Sequence, residues 1–260
     1  ASNYTKVNEQ LGLSFSGNYH HNDGFFTNLH THKKADKLDN GAGRIGLTWK
    51  PAAHWTTRFI TSYEYSNQGG YPYGLYNADK GTTEAVNYNN EGLYRRNLLT
   101  SGINIRYNGP HISFNSQTSY QYIQDKMGID QDFSPRNIFY GQNKIRQHMY
   151  CQEFTVKSVN KSRYHWITGA FVFRQTINRK VDLSRFTDTT RHLTNSGIPT
   201  QGIAFYHQST LDLLQGLSCS VGLRYDYEHA RCDFSKVQQP LNGNGETKSL
   251  EQFNRSLHFG

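Results

Sequence analysis

Gly216-Leu217-Ser218-Cys219-Ser220-Val221-Gly222-Leu223-Arg224-Tyr225-Asp226-Tyr227-Glu228 is the stretch whose reading decides the fold. With period two it separates into unlike faces. Leu217, Cys219, Val221, Leu223, Tyr225 and Tyr227 lie on one, and Ser218, Ser220, Gly222, Arg224, Asp226 and Glu228 on the other. Successive side chains leave a strand on opposite sides, so this alternation predicts a β-strand. It outruns the usual strand of about five or six residues in soluble proteins. It matches instead the run of about 9–11 tilted residues that carries a strand across a bilayer.

The pattern recurs on both sides. Gln10–Tyr19, Gly41–Lys50, Trp55–Tyr65 (with Ile60 out of phase), Leu99–Tyr107 and Ile112–Gln124 alternate clearly. His148–Ser158 is weaker, carried by Phe154 and Val156. Tyr164–Gln175 sets Ile167, Phe171 and Phe173 against Thr168, Ala170 and Arg174. Gly202–Leu213 is ambiguous in phase, and Phe253–Phe259 alternates again. The expectation is about ten strands and no helix. Connections alternate in length. Pro51–His54, Asn108–Pro110, Val159–Arg163 and Leu214–Gly216 read as hairpin turns. His20–Asn40, Ser66–Tyr94, Asp125–Gln147, Thr176–Gln201 and His229–Gln252 read as long polar loops. A compact soluble domain rarely holds so many structureless loops. Short turns at one end and long loops at the other define a transmembrane β-barrel.

Composition agrees. The 260 residues hold 18 Tyr, 15 Phe and 23 Gly but only 35% hydrophobic residues, which suits strands with one face toward water. Aromatics at 14% with charged residues at only 18% argue against disorder. No apolar run approaches the roughly 18 residues of a membrane helix. The chain opens Ala-Ser-Asn-Tyr, without a basic and apolar leader. The net charge of +8 is scattered apart from Lys33-Lys34, Arg95-Arg96 and Arg179-Lys180, so no nucleic-acid module is expected. Cys151, Cys219 and Cys232 show no metal spacing, and their odd number precludes a complete internal disulfide set.

Aromatic placement is an independent indication. Trp49, Trp55, Trp166, Tyr107 and Tyr164 sit near the short turns, and Tyr19, Tyr63, Tyr65, Tyr120, Tyr122, Phe173, Tyr225 and Tyr227 near the long loops. Rings at both strand ends are what two membrane interfaces select. Arg44, Arg58, Arg106, Arg174 and Arg224 are expected on the polar, lumenal face, since a midplane arginine toward lipid costs roughly 2–4 kcal/mol.

Gly202-Ile203-Ala204-Phe205-Tyr206-His207-Gln208, a short turn, then Val221-Gly222-Leu223-Arg224-Tyr225-Asp226-Tyr227-Glu228 resembles a recurrent hairpin of TonB-dependent outer-membrane receptors. Gln152–Ser158 followed by Tyr164–Phe171, and Gly46-Leu47-Thr48-Trp49-Lys50-Pro51, are similar to neighbouring barrel hairpins. The resemblance implies an all-β, antiparallel up-and-down transmembrane β-barrel, about 22 strands around a plug in the intact family. Residues 1–260 are expected to be part of the barrel domain, with the plug domain, its TonB box and the C-terminal strands lying outside this chain. It further implies residence in the bacterial outer membrane among lipopolysaccharide and other lipid, coupling to the TonB complex through the plug, and energy-coupled uptake of a scarce, bulky nutrient, most often a small-molecule iron chelate such as a ferric siderophore, or haem or cobalamin. No cofactor of the protein's own is implied.

Site candidates follow. Tyr71, Tyr73, Tyr76 and Tyr88 in the second long loop form a candidate ligand surface, because rigid rings bind at low entropic cost. Arg136, Arg174 and Arg224 are candidates for an anionic chelate, with Asp226 or Glu228 as alternative partners of Arg224. His20, His21, His30 and His32 could touch haem or a metal, although their spacing defines no site. There is no GxSxG, HExxH or phosphate-loop motif, so an enzyme is not expected. Two other classes remain open: a passive porin or structural surface barrel, and an extracellular β-rich binding module. A plug preceding Ala1 would favour the receptor over the porin. Detergent-free monodispersity would favour the binding module.

Overall fold

The computed structural model describes residues 1–159, 162–241 and, as backbone alone, 248–259. These are all-β. The strands are β1 (Ser2–Lys6), β2 (Leu11–Asn22), β3 (Leu38–Trp49), β4 (Trp55–Gln68), β5 (Tyr76–Asn77), β6 (Thr82–Thr83) and β7 (Leu93–Asn108). They continue with β8 (Ile112–Asp130), β9 (Phe139–Ser158), β10 (Tyr164–Arg185), β11 (Thr190–Leu214), β12 (Leu217–Pro240) and β13 (Lys248–Phe259). Eleven form one antiparallel sheet in chain order, with β5–β6 a separate small hairpin inside a loop. The sheet is up-and-down as expected, with β1 and β13 as its edges. β1 went unread in the sequence because its five residues, Ser-Asn-Tyr-Thr-Lys, carry no apolar alternation.

Directly paired residues of antiparallel strands share a face. The register therefore gathers one continuous apolar face. It takes in Leu13, Phe15, Ile45, Leu47, Phe59, Ile103, Ile105, Phe114, Phe154, Ala170, Val172, Ile203, Phe205, Leu223 and Tyr225. Nothing covers it: Leu223 is 78% exposed, Phe15 58% and Phe205 52%. A largely apolar face across nine strands far exceeds the few hundred Å² that a soluble monomer leaves bare. At about 25 cal/mol per Å², lipid contact turns this exposure from a liability into a stabilising term. Trp49, Trp55, Trp166, Tyr107 and Tyr164 all lie on this face at the turn end, with Trp55 and Tyr107 in ring contact at 4.9 Å.

At the loop end the outward rings also touch, Tyr120 to Tyr150 at 4.7 Å and Tyr122 to His148 at 4.9 Å. This upper belt drifts against the register. Tyr227 of β12 belongs to the row Ile203–Val172–Gln152–Thr118, whereas the rings of β8 are Tyr120 and Tyr122, farther toward the loops. Strands tilted by roughly 35–45° require that drift if the belt is to stay level.

β10 corrects the expected phase. Ala170 and Val172 pair with Phe205 and Ile203, so they are outward together with Trp166 and Arg174. Ile167, Phe171 and Phe173 lie on the polar face. The strand has apolar residues in both phases, and only its neighbours' register resolves them. The polar-face rings lie over glycines of the next strand. A Cβ on Gly202 would stand 2.5 Å from the Phe173 ring, and one on Gly169 2.3 Å from that of Tyr206.

The loops differ more. Asp125–Gln147 and Thr176–Gln201 were expected to be loops, yet strand pairing continues through most of both. β10 and β11 pair without interruption from Tyr164–Leu211 to Arg185–Thr190, leaving only residues 186–189 as a turn. β11 has 25 residues, about 80 Å at 3.3 Å per residue, well beyond a bilayer. His229–Gln252 is likewise strand up to Pro240 and again from Lys248, with 242–247 outside the described residues. Beyond the belt the outward face turns polar, so the apolar outward stripe disappears while the backbone ladder persists.

Candidate ligand-binding site

True loops remain at 23–37, 69–92 and 131–138, and they pack on one another over the ends of β3, β4 and β7–β9. Asn28 is the pin. Its side-chain amide donates to the Tyr88 carbonyl at 2.8 Å, and its Oδ1 accepts from the Tyr88 and His30 amides at 3.3 and 3.0 Å. Leu29 N donates to Val86 O at 2.9 Å. Asn28, Ala35, Val86 and Tyr88 are all buried, forming a small core that belongs to the loops and not to the barrel wall. Gly70, at φ 99°, lets the second loop leave β4 beside Gly92, where a Cβ would meet backbone at 3.0 Å.

The third loop is held by Asp130, which is 2% exposed. Its carboxylate accepts from the backbone amides of Asn90, Asp132 and Phe133 at 3.1, 3.2 and 3.0 Å. Burial pushes its pKa above the usual carboxylate range, aided by neighbouring Asp132, while the Asn90 and Phe133 amides oppose the shift.

Two features of this layer can receive a ligand. Tyr71, Tyr73 and Phe133 make a chain of tilted rings at 5.6 and 5.0 Å, with Tyr71 and Tyr73 largely exposed. Beside them a recess of about 250 Å³ is lined by Thr31, Lys33, Lys34, Lys37, Tyr88 and Glu91. Three lysines face one glutamate there, Lys33 being paired with Glu91 at 2.6 Å. An exposed aromatic ledge next to a net positive recess suits a flat or aromatic anion.

The sequence candidates are distributed unevenly over this geometry. Tyr71 and Tyr73 are on the ledge, and Tyr76, 68% exposed, stands on the β5–β6 hairpin. Tyr88 was expected on the ligand surface, but it is 3% exposed with its hydroxyl unpartnered among the described residues, so it is core. Arg136 is exposed in the third loop, where its amide donates to Ser134 Oγ at 3.2 Å. Arg174 was expected in the lumen, but it is outward, paired with Tyr150 and Gln201 beside the upper belt. Arg44, Arg58 and Arg106 do lie on the polar face. So does Arg224, where Asp226 binds its guanidinium at 2.7 Å and the Tyr206 ring lies 5.8 Å away. Tyr206 Oη donates to Glu153 at 3.0 Å and meets Thr155 Oγ1 at 2.9 Å, so one polar network crosses β9 to β12 over Gly169. Arg224 thus braces the wall.

The four histidines do not converge. His20 pairs with Asn40 on the polar face, and His21 with Asp39 on the other. His21 is bound by Asp39 at 2.6 Å and Asp23 at 2.9 Å, which together raise its pKa. His30 and His32 sit in the Asn28 turn, His32 at φ 57°. Among the described residues no group of three or more His, Cys, Asp or Glu could hold a metal, and the three cysteines are free. Lys37 and Phe133 went unread. Nothing local marks either, although the Lys33-Lys34 doublet was visible.

No family model matches the chain, and no curated protein is similar to it in sequence. Solved structures are similar in fold. The ferric yersiniabactin uptake receptor FyuA of Yersinia pestis superposes with a TM-score of 0.75 at 14% identity, covering 98% of this chain and 40% of the receptor. The siderophore receptor PiuA of Acinetobacter baumannii gives 0.56 at 5% identity, covering 91% of this chain and 46% of that one. The ferric citrate transporter FecA, unliganded, gives 0.56 at 9% identity, with 91% and 40% covered. The chain therefore spans less than half the length of each of these receptors. Uncovered outward face, twin aromatic belts and unbroken strand order agree with that likeness: this chain has the β-barrel fold of the TonB-dependent siderophore receptors, over a portion of the barrel.

Proposed function

We propose that the chain is the barrel portion of an outer-membrane receptor for energy-coupled uptake of a bulky anionic nutrient, of the ferric siderophore class. The carrying observation is the uncovered apolar face, bounded by aromatic belts, under a packed layer of loops. The likeness to a ferric yersiniabactin uptake receptor, a siderophore receptor and a ferric citrate transporter supports the same class of role. In this reading the loops are extracellular and the short turns periplasmic. Lys33, Lys34 and Lys37 draw the anion in, and Tyr71, Tyr73 and Tyr76 hold its apolar body. Passage needs no covalent chemistry from the barrel. Ligand binding biases a plug domain, which the TonB complex then works upon.

The test is growth of a strain lacking the full gene on defined ferric chelates and on haem, with wild-type and variant copies restored. Loss of growth on one chelate is expected. Tyr71→Ala/Tyr73→Ala should weaken its binding by about tenfold or more. Unchanged growth of the deletion strain on every iron source would remove the iron role.

A further inference from the structure

Between the two belts the outward face carries one acidic or basic side chain among the described residues, His207 of β11. Its neighbours across the sheet are Thr168 on β10 and Leu223 on β12, and Phe205 follows on the same face. An ionisable group facing lipid is costly, and by default it marks a functional position whose partner must be named. The partner is a serine. Ser209 Oγ lies 2.9 Å from His207 Nε2, and Tyr164 Oη lies 2.9 Å from Ser209 Oγ. All three residues belong to the outward face, His207 and Ser209 on β11 and Tyr164 at the turn end of β10. Other hydroxyls of this face pair with neutral groups. Ser101 meets Thr61 at 2.7 Å, and Ser116 accepts from Gln152 Nε2 at 3.0 Å. A serine hydroxyl set against an imidazole nitrogen is the pairing that turns serine into a nucleophile.

Height identifies the substrate. Ser209 is directly opposite Trp166, a ring of the turn-end belt, and β11 ends soon after, at Leu214. Interfacial tryptophans lie at headgroup level, and the acyl ester linkages of a membrane lipid lie just inside them. We propose that Ser209, His207 and Tyr164 form an esterase site that cleaves acyl esters of glycerophospholipids in the adjoining leaflet. The proposal rests on the membrane reading above, with the short turns periplasmic. His207 Nε2 takes the proton of Ser209 as Oγ bonds to the ester carbonyl carbon. Tyr164 Oη, already beside that oxygen, donates to the carbonyl oxygen as it becomes an oxyanion. The bond to the glyceryl oxygen then breaks, and that oxygen takes the proton from His207 and leaves in the lysophospholipid. Water from the interface gives a proton to His207 and attacks the acyl-serine. The fatty acid departs, and Ser209 recovers its proton from His207. One ester and one water become one acid and one alcohol, with no change in oxidation state.

The experiment uses the full-length protein, purified from membranes and placed in vesicles of phosphatidylethanolamine and phosphatidylglycerol. An alkyl fluorophosphonate traps the activated serine, which peptide mass spectrometry locates, and released fatty acid and lysophospholipid are quantified. Wild type should be labelled at Ser209 and release the two products in equal amounts. Ser209→Ala should lose both the label and the release. His207→Gln should slow both by about 100-fold or more. Tyr164→Phe should slow release by about 100-fold. Gln208→Ala, on the opposite face of the same strand, should behave as wild type. Absence of label from wild-type Ser209, or equal release by Ser209→Ala, would overturn the inference. The first of these involves no variant, so it decides whether or not the substitutions fold. Membrane fractionation runs in parallel. If wild type is absent from the outer-membrane fraction, the membrane reading fails. If it is present there yet unlabelled, the esterase site alone fails, and His207 and Ser209 share a structural hydrogen bond only.

Discussion

The two ends of β12 are made of one continuous strand with one hydrogen-bond ladder, yet they obey different rules. From Leu217 to Tyr227 every second residue is apolar or aromatic and uncovered. From His229 to Pro240 the same face carries His229, Arg231, Asp233 and Ser235, with Val237 the exception. The ladder to β11 does not distinguish the halves, because β11 pairs with β12 through both, while β13 pairs only with the upper one, from Glu228 to Gln238. Solvent does. The lower half meets hydrocarbon on one face, while the upper half meets water on both and has no reason to alternate.

Substitution of one strand at two heights tests this division most strongly. Leu223→Arg places a cation in the outward apolar band and should cost about 2–4 kcal/mol. Ser235→Arg, on the same strand and face but above the belt, should stay within about 0.5 kcal/mol. Denaturant titration of the full-length protein in lipid vesicles measures both. Equal costs at the two positions would mean that the apolar face does not lie in lipid.

The same division explains what could be read from the sequence. Strands were legible where hydrocarbon enforces alternation, hence the clear signals at Gln10–Tyr19, Trp55–Tyr65 and Gly216–Glu228. Residues 176–201 give a loop signal because their outward face is polar and their few apolar residues are outnumbered by polar ones, although the ladder runs on to Arg185. The sequence assigns β10 the wrong phase for another reason. Phe171 and Phe173 fill space over glycines such as Gly202 on the polar face, so bulk ceased to mark the lipid side. In the loops the exposed Tyr71 and Tyr73 and the buried Tyr88 are one residue type in one segment. What separates them is Asn28, 60 residues away, and no local pattern reports such a contact.

Glycines sharpen the comparison at smaller amplitude. Gly169 lies beneath the Tyr206 ring, and a Cβ there would be 2.3 Å from it. Gly169→Val should displace Tyr206 from Glu153 and Thr155 and cost about 1–3 kcal/mol. Gly197→Val, on β11 above the belt, meets nothing nearer than Asn178 Oδ1 at 3.7 Å and should be nearly neutral. Thermal unfolding of the two variants in the same detergent checks the ordering.

In the loop core the expected sign reverses. Tyr88 is buried with its hydroxyl unpartnered among the described residues, a penalty that Phe would lift. Tyr88→Phe should therefore stabilise the layer by about 1 kcal/mol, read as slower proteolysis within residues 69–92. Tyr88→Ala should accelerate it.

The smallest effect expected is one of pH, again confined to the loop layer. Burial raises the pKa of Asp130 above the value of 3.8 it has when exposed, so the native loops favour the protonated acid. Its contribution to stability is fully present below that exposed value and is lost as pH rises through the native one. Protease resistance of residues 69–92 should accordingly increase on mild acidification, while the barrel wall, cut off from this group, stays unchanged. Asp130→Asn keeps one carbonyl oxygen to accept from the Asp132 and Phe133 amides, replaces the oxygen that accepts from Asn90 by an amide nitrogen, and removes the titration, so it should flatten the profile. A profile unaltered in Asp130→Asn would assign the response to another group. One that spread to the wall would mean that loops and barrel melt as a single unit, dissolving the distinction between loop core and lipid-supported strand.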